Sequence, residues 1–311
     1  RGRESVVKAI YKKEIFSVFR SMLGYVYVAF FLLVAGVFFT AFNLQGGGAE
    51  FGYVLGNTTT VLLIVIPMLT MRLLCDEQRQ RTDQLLFTVP VQLWKIVIGK
   101  YLAVLTIFAA PLVVLLGCPL ILSVYGRVPL MESYSCFLAF LFMGSACLSI
   151  GLFISSLTDH PILSAVGTFA ILLVSYLANG IASLIGTSAL ESFCGFAVVA
   201  GLAAVLIGLF SKNRYGTLAV LIVSEAALCV LYLADKKIFE GTFTRFLKEF
   251  SLFERYYDFV DGVFDLSHLI YYLGIALLFL FLTVQSVEKR RYPPKSIYTL
   301  AMCVCTIAIT V

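Results

Sequence analysis

Strongly apolar runs of about twenty residues recur along this chain, each long enough to cross the roughly 30 Å hydrocarbon core of a bilayer as a helix. Eight such runs are read, at about 22–42, 54–74, 98–124, 135–157, 161–186, 194–211, 216–234 and 268–287. They are too many and too long for a leader peptide. The expected fold is therefore all-α and polytopic, built in the membrane. Composition agrees: 60% of the 311 residues are hydrophobic and only 13% charged, with a mean hydropathy of +0.97. A soluble enzyme is excluded by those values. The third run carries Pro111 and Pro119, each of which removes a helix hydrogen bond, so a kink or break is expected there.

Lys and Arg concentrate in loops that stay on the cytoplasmic side. With the N-terminus inside, seventeen of the 23 Lys and Arg fall in or beside cytoplasmic segments; the others are Arg127 and five residues from Lys236 to Arg255. The reverse orientation would misplace Arg1, Arg3, Lys8, Lys12, Lys13 and Lys289 to Arg291. The expected domain order is a cytoplasmic interfacial helix over 1–21, a transmembrane domain over 22–291, and a linker over 292–311 that opens a further, incomplete span.

Two segments are amphipathic without being spans. Residues 3–20 place Val6, Val7, Ile10, Ile15, Val18 and Phe19 among Lys8, Lys12, Lys13 and Glu14, the pattern of a helix lying on the inner leaflet. On the outer side, within 238–266, Phe239, Phe243, Phe246, Phe250, Phe253 and Tyr257 recur every three or four residues opposite a charged face, up to a break at Gly262.

The connector from Arg72 to Lys100 is unusually elaborate. It carries Arg72, Asp76, Glu77, Arg79, Arg81, Asp83, Lys95 and Lys100, with Leu85, Leu86 and Phe87 as an apolar ridge and Val89-Pro90 as a helix stop. A loop that merely set topology would need neither the ridge nor the acids. A helix over 75–90 that docks a partner accounts for both.

Catalytic and metal chemistry find little support. The chain has no GxxxxGK[ST], no HExxH and no cluster of Cys and His at metal spacing, so no metal site is expected. His160, in a turn between Asp159 and Pro161, and His268, at the start of the last run, stand apart and read as loop and interface residues. Most of the eight cysteines lie in or beside apolar runs, where a free thiol packs as a small hydrophobe. Glu225 falls near the middle of the 216–234 run, where a carboxylate costs on the order of 2.5–3.5 kcal/mol by insertion scales. It reads either as a site on a translocation path or as a hydrogen-bonded acid joining helices. Asn179 is the other polar candidate on such a path, or equally a packing polar.

At the connector the sequence resembles the ABC-2 type permeases, membrane subunits of ATP-binding-cassette exporters, and within them the gliding-motility-associated branch. That family ends its second span in PxLTMR, follows with acids and GT-x-ELLxTxPV, and opens its third span with GK. Here the corresponding residues are Pro67-Met-Leu-Thr-Met-Arg72, Asp76-Glu77, Thr82-Asp-Gln-Leu85-Leu86, Thr88-Val-Pro90-Val91 and Gly99-Lys100. The stretch from Phe250 to Arg291 and the turn Ser155-Ser-Leu-Thr158 are also similar. Arg81 and Gln84 depart from the family's Gly and Glu, and eight spans exceed its usual six.

The resemblance implies a multi-pass protein of the bacterial cytoplasmic membrane that has no ATPase site of its own. It implies a separate cytoplasmic ABC ATPase subunit holding ATP and Mg, and a second permease copy or homologous permease, in some systems with a large outer domain. ATPase docking then falls to Asp76, Glu77, Arg79, Arg81, Thr82, Asp83, Gln84, Leu85, Leu86 and Phe87, with a smaller contact at Ser156, Thr158 and Asp159. Phe246, Phe250, Phe253 and Tyr257 become candidates for an outer gate. Beyond membrane lipid no further partner class, and no nucleic acid, is implied. An ion-coupled secondary transporter using Glu225, or a membrane scaffold for an outer domain, are the alternatives.

Overall fold

The computed structural model describes residues 4–80, 92–184, 189, 192–193, 195–197 and 241–291, and no strand occurs among them. The helices are α1 (Glu4–Arg20), α2 (Leu23–Phe39, extended by a π-helical turn Thr40–Gln45), α3 (Gly52–Thr70), α4 (Cys75–Arg79), α5 (Leu93–Leu115), α6 (Gly117–Tyr125), α7 (Leu130–Leu157), α8 (Pro161–Leu184), α9 (Thr242–Phe250), α10 (Glu254–Val260) and α11 (Leu266–Arg291). Among the described residues, six stretches are long and apolar enough to cross a membrane: Leu23–Gln45, Gly52–Arg79, Leu93–Tyr125, Leu130–Leu157, Pro161–Leu184 and Leu266–Glu288. They coincide with six of the eight expected runs. The other two, 194–211 and 216–234, lie outside the described residues except for 195–197.

The proline-bearing third span is interrupted as its sequence predicts. The α-helix stops at Leu115 and restarts at Gly117, where Pro119 has no N–H to give to the carbonyl four residues earlier. Pro111 is carried within α5.

Contacts divide the chain into two compact units, residues 1–173 with 255–311, and residues 174–254. In the first unit, α3 and α7 form the centre: each buries 72% of its most apolar window, against 17% for α2 and for α11. Small residues set how closely these helices approach. A Cβ on Gly151 would collide with the Thr70 side chain, and one on Gly144 with the Phe108 ring. Hydrogen bonds from side chains to neighbouring spans complete the packing: Tyr27 donates to the Phe108 carbonyl at 2.9 Å, and Tyr101 to that of Ser145 at 3.1 Å. Such bonds recover main-chain acceptors that lipid cannot satisfy.

At the end of the bundle where α3 and α7 begin, the seal is aromatic. Phe51 stacks on Phe137 at 5.2 Å, Phe108 on Phe140 at 6.0 Å, and Tyr256 meets Phe140 edge-on at 5.7 Å. Each such pair adds about 0.5–1.5 kcal/mol beyond area burial. Tyr256, Phe259 and Val260 of α10 are buried there, and the Cys136 thiol donates to the Phe259 carbonyl at 3.0 Å. Gly262, at φ +82°, then turns the chain toward α11. Asp265 caps that helix by accepting the Ser267 N–H at 2.8 Å, a bond that holds its carboxyl below the usual value.

The second unit takes in the latter part of α8, the short helical pieces around Phe196, and α9. Its core is Ala182, Phe243 and Leu247, with Phe196 packed against it. Tyr176 of α8 meets Phe253 edge-on at 5.3 Å, and Ser175 Oγ accepts the Leu252 N–H at 3.1 Å. The aromatic stripe expected over one outer helix is therefore cut in two. Ser251, extended at ψ 100°, ends α9, and α10 starts afresh at Glu254.

Candidate functional site

Among the described residues, charge converges most closely on Lys100, eight residues into α5 and 1% exposed. An ammonium group has three donors and no acceptor, and all three are used here. Nζ donates to Glu14 Oε1 of α1 at 2.9 Å, to the Leu73 carbonyl after α3 at 2.7 Å, and it pairs with Glu77 Oε1 of α4 at 2.9 Å. Glu14 and Glu77 are 12% and 17% exposed at the side chain. A second cation, Lys13, stands 3.8 Å from Glu77, but at 70% exposure it contributes little. Two carboxylates thus surround one buried ammonium, and the group holds together the ends of three elements distant in sequence.

Local sequence explains how each member arrives. In α1 the inward side chains are Val7, Ile10, Tyr11, Glu14, Ile15, Val18 and Phe19, while Lys8, Lys12, Lys13, Phe16 and Ser17 are exposed. That i, i+3, i+4, i+7 stripe packs on α5, with Ile10 against Gly99 and the Tyr11 hydroxyl 3.0 Å from that of Thr106. The amphipathic face expected to lie on lipid is thus covered, at least along this contact, by a transmembrane helix. Glu14 occupies the stripe one turn from Ile10 and meets Lys100, one residue beyond Gly99. After Arg20 the chain reverses at Met22, a non-glycine residue at φ 59°, with Ser21 Oγ bonded to the Val18 carbonyl at 2.9 Å.

A second set of bonds ties α4 to the turn after α7. Ser155 Oγ accepts the N–H groups of Leu74 and Cys75 at 3.2 and 3.3 Å, two of the donors that the start of α4 leaves without helical partners. The Cys75 thiol donates to the Thr158 carbonyl at 2.8 Å and the Gln78 amide to that of Ser156 at 3.1 Å. The two loops for which a docking role is expected are accordingly one connected structure.

The individual docking residues sort by placement. Asp76 is half-buried, Arg79 exposed, and Glu77 turned inward to Lys100. Ser156 is buried, with its hydroxyl bonded back to the Phe153 carbonyl; Thr158 is half-buried and Asp159 exposed. Arg81, Thr82, Asp83, Gln84, Leu85, Leu86 and Phe87 lie outside the described residues, as does Glu225. Asn179 is half-buried in α8.

The gate candidates are divided between the two units, Phe246, Phe250 and Phe253 in the second and Tyr257 in the first. Phe246 packs its ring 5.9 Å from Phe196 and is 46% exposed, and Phe253 is buried on Tyr176. Tyr257, in the first unit, is 38% exposed with its hydroxyl 3.5 Å from the Gly56 carbonyl. The Phe250 side chain lies outside the described set.

Residues 12–211, more than half of the chain, match the family model described as ABC-2 family transporter protein. The chain belongs to the ABC-2 transporter family. No curated protein and no solved structure matches it. The ABC-2 match contains Glu14, Glu77 and Lys100 and both loops joined by Ser155, so the ionic centre lies within the matched part of the chain. With its apolar spans, this ABC-2 protein is a multi-pass membrane protein and a transport subunit.

Proposed function

We propose that this ABC-2 protein is the permease subunit of an exporter driven by a separate cytoplasmic ABC ATPase, which docks at the end of the bundle built from α4, the connector that follows it, and the α7–α8 turn. In this reading the permease works as a pair with a second permease and two ATPase subunits that hold ATP and Mg. It sits in a bacterial cytoplasmic membrane with α1 and α4 on the inner side, and the connector motif resembles that of the gliding-motility-associated systems.

The observation that carries the reading is the Lys100 centre. Removing one partner from a buried ion pair costs on the order of 3–5 kcal/mol, so displacement of α4 is resisted separately from α1 and α5 and drawn onto both. A subunit pressing on Arg79, Gln80 and the ridge Leu85, Leu86 and Phe87 would then move the second and third spans together, with α1. Exposed charge gives register and the apolar ridge gives buried area.

The test is co-purification with the cognate ATPase from a co-expressing strain. Leu85→Asp with Leu86→Asp is expected to abolish ATPase recovery while the permease still folds, judged by its melting temperature in detergent. Recovery equal to wild type would overturn the docking assignment.

A further inference from the structure

Beside the ionic centre, at the shared end of α2 and α3, lies a recess of about 330 Å³. One wall is apolar, formed by Val18, Leu23, Met68 and Leu69; the other carries charge. Most of that charge is already matched within the protein, because Lys100 holds Glu14 and Glu77 and Lys13 stands near Glu77. Two charged groups lining the recess remain. Among the described residues, neither the Arg72 guanidinium nor the Asp76 carboxylate has a hydrogen-bond or ion-pair partner, although the two residues are four apart and share the turn closed by the Asp76 N–H on the Arg72 carbonyl.

The chemistry that satisfies such a pair is itself a pair: an anion for a planar guanidinium fork and a cation for a carboxylate, on one small molecule. The recess lies where α2 begins and α3 ends, so a lipid lying against those two apolar helices would bring its acyl carbons to the apolar wall and its headgroup to the charged one. We propose that it is a binding site for a phospholipid with a phosphoethanolamine headgroup, with the phosphate on Arg72, the ammonium on Asp76, and the glycerol and first acyl carbons along Val18, Leu23, Met68 and Leu69. A headgroup seated there bridges the end of α3 to α4, next to the residues through which the proposed ATPase would act. The assignment is independent of that ATPase.

The experiment uses the isolated full chain in detergent micelles, titrated with phosphatidylethanolamine, phosphatidylglycerol and free phosphoethanolamine, with retained adducts counted by native mass spectrometry. One phosphatidylethanolamine per chain is expected, held at least tenfold more tightly than phosphatidylglycerol, with free phosphoethanolamine at least tenfold weaker for want of the apolar wall. Asp76→Asn should erase the preference between the two lipids, and Arg72→Gln should weaken both about tenfold. Both positions lie outside the Lys100 contacts, so melting temperatures near wild type certify the fold. Equal retention of the two lipids by the wild type, a preference that survives Asp76→Asn, or retention unchanged by Arg72→Gln overturns the site. Free phosphoethanolamine binding as tightly as the lipid overturns the membrane source of the headgroup.

Discussion

The two ends of the first unit are closed by opposite chemistry. Where α3 and α7 begin, Phe51, Phe137, Phe140, Tyr256 and Phe259 seal the bundle with ring contacts. Where they end, Lys100 gathers two carboxylates and a carbonyl. Apolar burial is non-directional and tolerates small shifts, whereas a buried ammonium with three acceptors tolerates few. One end is suited to staying shut by bulk, the other to reporting whether its three elements are in place.

The largest effect that can test this contrast is Lys100→Met, which leaves Glu14 and Glu77 facing one another with only the exposed Lys13 ammonium, 3.8 Å from Glu77, nearby. A loss of about 3–5 kcal/mol is expected, read as a lower unfolding midpoint of the detergent-solubilised chain. A stability equal to wild type would reduce the ionic centre to ornament. Glu14→Gln keeps a hydrogen-bond acceptor and leaves Glu77 paired, so a smaller loss of about 1.5–3 kcal/mol is expected. If the contact transmits between α1 and α4, a double-substitution cycle with Glu77→Gln will show coupling between the two acids.

The smallest effect belongs to the aromatic end. The Tyr256 hydroxyl is buried without a hydrogen-bond partner among the described residues, and burial pushes its phenol well above the ordinary value. Tyr256→Phe should therefore leave stability unchanged or raise it by up to about 1 kcal/mol. A loss from this substitution would mean that the aromatic end, too, depends on polar contacts.

Legibility in the sequence follows the range of the interaction. Six described spans could be read directly, since hydropathy over twenty residues is a local property, and so could the break near Pro119 and the apolar stripe of α1. Lys100 was recognisable only as a base at the edge of a span and half of a Gly-Lys motif, and Glu14 only as one charge among several. Their pairing joins residues 86 apart, and no local pattern encodes it. A signal was present all the same: Glu14 falls on the inward stripe with Ile10, Tyr11 and Val18, and an acid on a buried face requires a partner. The aromatic periodicity of 239–257 misled in the opposite way. Its spacing suggested one continuous helix, but Ser251 breaks the register, and Phe253 and Tyr257 fall in different units.

The Ser155 hydroxyl, which receives the first two N–H groups of α4, makes the length of α7 a measuring rod for the connector. One residue inserted between Gly151 and Ser155 would swing the hydroxyl by about 100° and lift it by about 1.5 Å, too far to meet Leu74 and Cys75 while Gly151 keeps its place against Thr70. The count of residues from the close contact of Gly151 with Thr70 to the mouth of the bundle is therefore fixed by the Ser155 hydroxyl and the two N–H groups it accepts, and loop-swapped relatives should retain it even where the connector itself has changed.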